Sequence, residues 1–88
     1  MDAVSILGAA AGFVTTLTFL PQVIKTWKEK RAKDISLLMF LIAAVNEVMW
    51  IAYGALLPRV DWVIIWTNSV LLVMSTTMII LKFRYSKS

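Results

Sequence analysis

Asn46, Trp50 and Tyr53 are spaced i, i+4, i+7, so on a helix they share one face. Asn68 stands in a later apolar run. A Trp offers a flat stacking surface, and an Asn offers two donors and an acceptor. Together they suit a small polar ligand with apolar C–H faces and a rim of hydroxyls, which describes a sugar. The same residues have a plainer use, with each Asn bridging two helices and the Trp filling space. Other chemistry is hard to assemble. The chain has no Cys and no His, so it lacks thiol nucleophiles, the commonest general base and the commonest metal ligands. Its five carboxylates are Asp2, Glu29, Asp34, Glu47 and Asp61. They form no evident pair or metal set, so the chain reads as a non-enzyme needing no cofactor or metal.

The elements that hold these residues are apolar and long. Of 88 residues, 60% are hydrophobic and 16% are charged, where a soluble domain averages about 45–50% and roughly 25%. Residues 3–24 make 22 without a charge, residues 35–57 make 23 with only Glu47, and residues 62–81 make 20 with none. About 20 apolar residues span a bilayer as a helix. The chain 1–88 therefore reads as a single all-α membrane domain, a bundle of three spanning helices over about 3–24, 35–57 and 62–81. A signal peptide is not expected. Asp2 stands where a basic region would be, and the run after it is too long. Trp50 precedes Leu57 by seven residues, and Asn68 follows Asp61 by seven. At 1.5 Å per residue both lie about 10 Å below the same end of the bundle.

The net charge of +4 is distributed like a topology signal. Lys25, Lys28, Lys30, Arg31 and Lys33 fall in the first loop, and Lys82, Arg84 and Lys87 in the tail. Arg59 alone lies in the second loop. The excess on one side predicts an outer amino terminus and a cytoplasmic carboxyl terminus. Nucleic acid is not expected as a partner; the bilayer is. Trp27, Tyr85 and Trp62 fall where interfacial aromatic belts lie.

Three helices leave no room for a polar path between them, so an assembly is expected. Gly8 and Gly12 are spaced to let another helix backbone approach closely. The spacing does not say whether that helix belongs to the same protomer or to another. Pro21 removes a backbone donor inside the first helix, which creates either a hinge or a fixed bend.

The run Thr15-Thr16-Leu17-Thr18-Phe19-Leu20-Pro21-Gln22 resembles the PQ-loop signature. Lys25-Thr26, Asp34-Ile35-Ser36, Met39, Trp50-Ile51-Ala52-Tyr53-Gly54 and Asn68 follow in order. On a three-helix chain this set resembles the bacterial SemiSWEETs over nearly its whole length. The resemblance implies a sugar transporter of the bacterial inner membrane. It would act as a parallel homodimer around one pathway, by alternating access and facilitated diffusion; SWEETs are a known case of such parallel repeats. It implies that Trp50 stacks on the sugar and Asn68 bonds its hydroxyls, with Asn46 adding a second amide. Pro21 and Gln22 match the hinge. Tyr53, Arg59 and Asp61 match an extracellular gate. Phe19 and Met39 match an intracellular gate, although packing explains these two equally well on spacing.

The chain departs from the family pattern in places. The loop after Tyr53 is longer than usual and contains Pro58. Asn46 stands where a small residue is common, and Phe40 where a Tyr is common. Glu47 is the least expected residue, since a charge at mid-membrane costs at least ~2.5 kcal/mol. It could couple transport to protons, bond a hydroxyl or indole of a neighbouring helix, or meet a second protomer. The structural readings are favoured, because no His or Lys accompanies it in the spans. Two other functions compete with sugar transport. One is a PQ-loop carrier of another small metabolite such as an amino acid, proton-coupled through Glu47. The other is a membrane assembly subunit that transports nothing.

Overall fold

The computed structural model describes residues 2–85, so Lys87 of the basic tail lies outside them. Three helices follow in order: α1 Ala3–Glu29, α2 Leu37–Leu56 and α3 Trp62–Tyr85. All three are long and apolar enough to cross a membrane.

Their ends are set by backbone chemistry rather than by where the apolar runs stop. The Asp2 carboxylate accepts from the Ser5 N–H at 2.7 Å and caps α1. That bond holds the Asp2 carboxyl below its usual range. The helix passes through Pro21 and the first lysines before stopping at Lys30, which adopts the left-handed conformation at φ 54°. Charge ends the apolar run at Ile24, but it does not break the helix. Lys30 donates its N–H to Thr26 O, the bond that closes the last turn. Ser36 caps α2 by accepting from Met39 N at 3.1 Å, so Ile35 and Ser36 lie outside that helix. Leu57 is extended at ψ 147°, as expected of a residue before Pro58. Asp61 caps α3, accepting from Ile64 N at 3.1 Å.

In space α3 lies between α1 and α2, and it is the only helix in close backbone contact with both. The bundle measures 46 × 21 × 13 Å, a flattened array rather than a rounded one. Near the Asp61 end, glycines bring α3 close to its neighbours. A Cβ on Gly12 of α1 would collide with the Thr67 side chain, 2.8 Å from its Cβ. A Cβ on Gly8 would lie 3.4 Å from Val63 Cγ1. The small-residue stripe therefore packs within the protomer, against α3. At the basic end, large side chains fill the space instead. Phe40, Met78 and Leu81 form a buried cluster, with Phe19, Val23, Ile35, Ile79 and Tyr85 against it. The Lys82 ammonium donates to Ala32 O at 2.8 Å and to Lys33 O at 3.1 Å. Ala32 N in turn donates to Tyr85 O at 3.3 Å, so the basic loop is strapped to the end of α3.

Candidate functional site

Asn46, Trp50 and Tyr53 share one face of α2, as their spacing requires, and line an open cleft of about 440 Å³. Met49 lines it as well. The same i, i+3, i+4, i+7 pattern places Met49 beside Asn46, so its place could have been read from the sequence. The Trp50 and Tyr53 rings meet edge to face, with centroids 5.4 Å apart and planes at 88°. Such an edge-to-face pair is a favourable aromatic contact and fixes the two rings relative to one another. Every lining residue of the cleft comes from α2, so one protomer supplies a single wall.

Asn68 does not line this cleft. It is half-buried on α3, and its Nδ2 donates to Ile64 O of its own helix at 2.9 Å. The bond uses one of its two amide hydrogens and leaves its carbonyl oxygen for another partner. Trp50 and Asn68 are thus not brought into one cleft within a single chain.

The remaining positions fall into two groups. At one end, Tyr53 and Arg59 are exposed, while the Asp61 carboxylate is committed to the α3 cap. At the basic end, Phe19 meets Phe40 edge to face at 6.2 Å and belongs to the core. Met39 is exposed. Pro21 and Gln22 are exposed on an unbroken α1, and Gln22 also lines a cleft formed with the basic loop. Lacking an N–H, Pro21 leaves Leu17 O without its helical donor.

Glu47 points elsewhere. It is 4% exposed, facing Ser75 of α3, which is 0% exposed. The two groups are close, but their geometry falls short of a hydrogen bond. Glu47 Oε1 and Ser75 Oγ are each buried without a partner. Glu47 thus lies opposite a hydroxyl of a neighbouring helix, without the hydrogen bond that the structural reading expects. Ser75 could not be singled out beforehand, because α3 carries four other Ser and Thr hydroxyls: Thr67, Ser69, Thr76 and Thr77.

Comparison with known proteins puts this geometry in a family. The PQ loop repeat profile matches residues 3–63. The sugar transporter SemiSWEET of Bradyrhizobium diazoefficiens is 35% identical over 82 residues, covering 93% of each chain. That of Leptospira biflexa is 37% identical over 78 residues, covering 89% of each. The chain belongs to the SemiSWEET family of PQ-loop proteins. A crystal structure of a bacterial homologue of SWEET transporters superposes on this SemiSWEET chain with a TM-score of 0.86. It is 34% identical, and the match covers 96% of this chain and 99% of the other. The agreement over nearly the whole of both chains means that the two share the three-helix array.

Proposed function

We propose that the protein is a sugar transporter acting as a parallel homodimer in the bacterial inner membrane. The observation that carries this reading is the one-walled cleft. Asn46, Trp50 and Tyr53 form a polar and aromatic face on a spanning helix, with no residue of another helix lining the cleft among the described residues. A polar face of that kind is costly against lipid. A second copy related by a two-fold axis along the membrane normal supplies the missing wall and doubles each residue. One sugar then meets two Trp50 rings and two Asn68 amides. The names of the full-length relatives support sugar as the cargo.

The mechanism is alternating access by facilitated diffusion. Pro21 and Gln22 form the hinge of α1. Tyr53, Arg59 and Asp61 close the outer mouth, and Phe19 and Met39 close the inner one. The basic loop and tail place the carboxyl terminus in the cytoplasm and the amino terminus outside. Proton coupling through Glu47 gains no support from the geometry, since Glu47 faces Ser75 and not the Trp50 cleft.

Uptake of labelled glucose and sucrose into liposomes, without an imposed gradient, tests the proposal. Saturable uptake is expected, falling about tenfold in Trp50→Ala from lost stacking. Asn68→Ala should fall as well. Glu47→Gln should keep both the rate and its pH profile. Absence of uptake by folded dimer, or competition by amino acids in place of sugars, would remove sugar as the cargo.

A further inference from the structure

Two clefts at the basic end differ in charge. One is lined by Gln22, Lys25, Thr26, Glu29, Arg31, Lys33, Asp34 and Ile35. Its three cations have two carboxylates among them. The other, of about 400 Å³, is lined by Trp27, Lys28, Lys30, Arg84 and Tyr85. It has three cations and no carboxylate. The first cleft largely neutralises itself; the second lacks an anion among the described residues.

The second cleft also sits where a lipid headgroup lies. It joins the last turn of α1 to the last turn of α3, at the ends of two spanning helices. Trp27 is 64% exposed there, in the position of an interfacial anchor. The Arg84 guanidinium lies 5.5 Å from the Tyr85 ring centroid, which holds that charge at the rim. One turn deeper into the membrane, Ile24 precedes Lys28 and Ile80 precedes Arg84, and both are exposed. Cations above an apolar strip match a phosphate joined to acyl chains.

We propose that this cleft binds the phosphate headgroup of an anionic phospholipid. Lys28, Lys30 and Arg84 hold the phosphate, Trp27 lies against the glycerol region, and Ile24 and Ile80 receive the acyl chains. Helix C-termini favour nearby cations on their own account. That effect does not explain why the neighbouring cleft is balanced by Glu29 and Asp34 while this one is not.

The test uses the full chain in detergent. Native mass spectrometry compares retained phosphatidylglycerol with phosphatidylcholine. A preference of about tenfold or more for the anionic lipid is expected, given three cations at the headgroup. The triple variant Lys28→Gln/Lys30→Gln/Arg84→Gln should abolish it. The matched variant Lys25→Gln/Arg31→Gln/Lys33→Gln, with the same loss of charge, should retain it. If the triple variant does not fold, Arg84→Gln alone should reduce the preference and serves in its place. No preference in the parent, or equal loss from both triple variants, would overturn the proposal. So would full displacement of the lipid by millimolar inorganic phosphate, which would mark a site for soluble anions.

Discussion

At the basic end, Phe40 and Met78 are 1% and 0% exposed, whereas towards the Asp61 end Trp50 and Tyr53 are 45% and 52% exposed. The same three helices thus finish one half of the protomer and leave the other half open. The basic half fills its interior with large side chains and straps its loop down through Lys82. The other half brings backbones together through Gly8, Gly12 and Gly54, which leaves little to bury and turns the aromatic face of α2 outward. A closed half can serve as a rigid base, while an open half needs a ligand or a second copy to complete it.

The largest effect that separates the halves is expected from Phe40→Ala. Phe→Ala in a packed core costs about 3–5 kcal/mol, and the cavity contribution persists inside a membrane protein. Trp50→Ala should cost less than about 1 kcal/mol, because its ring has few neighbours to lose. Unfolding in mixed micelles compares the two. Equal losses would mean that the Trp50 half is also a closed core, and the contrast would fail.

Gly12→Ala tests the opposite half at its tightest point. The added methyl collides with the Thr67 side chain, and overpacking of this kind costs about 1–3 kcal/mol. Thr67→Gly in the same chain should recover most of the loss. Gly54→Ala, whose Cβ would lie 3.1 Å from Ile64 Cγ2, should cost less than Gly12→Ala. Failure of Thr67→Gly to rescue would place the critical contact of Gly12 outside the protomer.

These contrasts also mark what could be read from the residues alone. The three helices and the shared face of Asn46, Trp50 and Tyr53 were legible, because apolar length and the 3.6-residue period are properties of one segment. Partner identity was not. The Gly8–Gly12 spacing announces a close approach but carries no information about the helix across from it. Glu47 was visible as an anomaly, yet its neighbour Ser75 depends on the rotation of α3 about its axis. The apolar run to Ile24 bounds a span and not a helix: α1 continues five residues further to Glu29, since the limit of an apolar run marks a change of solvent and not a break in hydrogen bonding. Asn68 stands outside the Trp50 cleft of one chain, and depth counted along two helices could not have said so, because it does not fix the rotation of either helix.

The Lys82 strap is a smaller test of the closed half. Lys82→Met keeps most of the side chain's length but loses both bonds to the loop carbonyls. A loss of about 1 kcal/mol is expected for a half-exposed site, with faster hydrogen exchange at the Ala32 N–H. Unchanged exchange there would show that the loop holds itself in place.

The smallest effect comes from Asp61, which has two candidate roles that predict different outcomes. As a cap it needs only an oxygen for the Ile64 N–H; as a gate it needs its charge to meet Arg59. Asn serves as well as Asp in a cap, whereas Ala does not and costs about 1 kcal/mol. Asp61→Asn should therefore leave unfolding unchanged and Asp61→Ala should lower it. If uptake in Asp61→Asn matches the parent, the carboxylate is a helix cap and Arg59 closes against something else. If uptake changes while stability holds, the charge acts in the gate. The open half would then be under electrostatic control as well as lacking a wall.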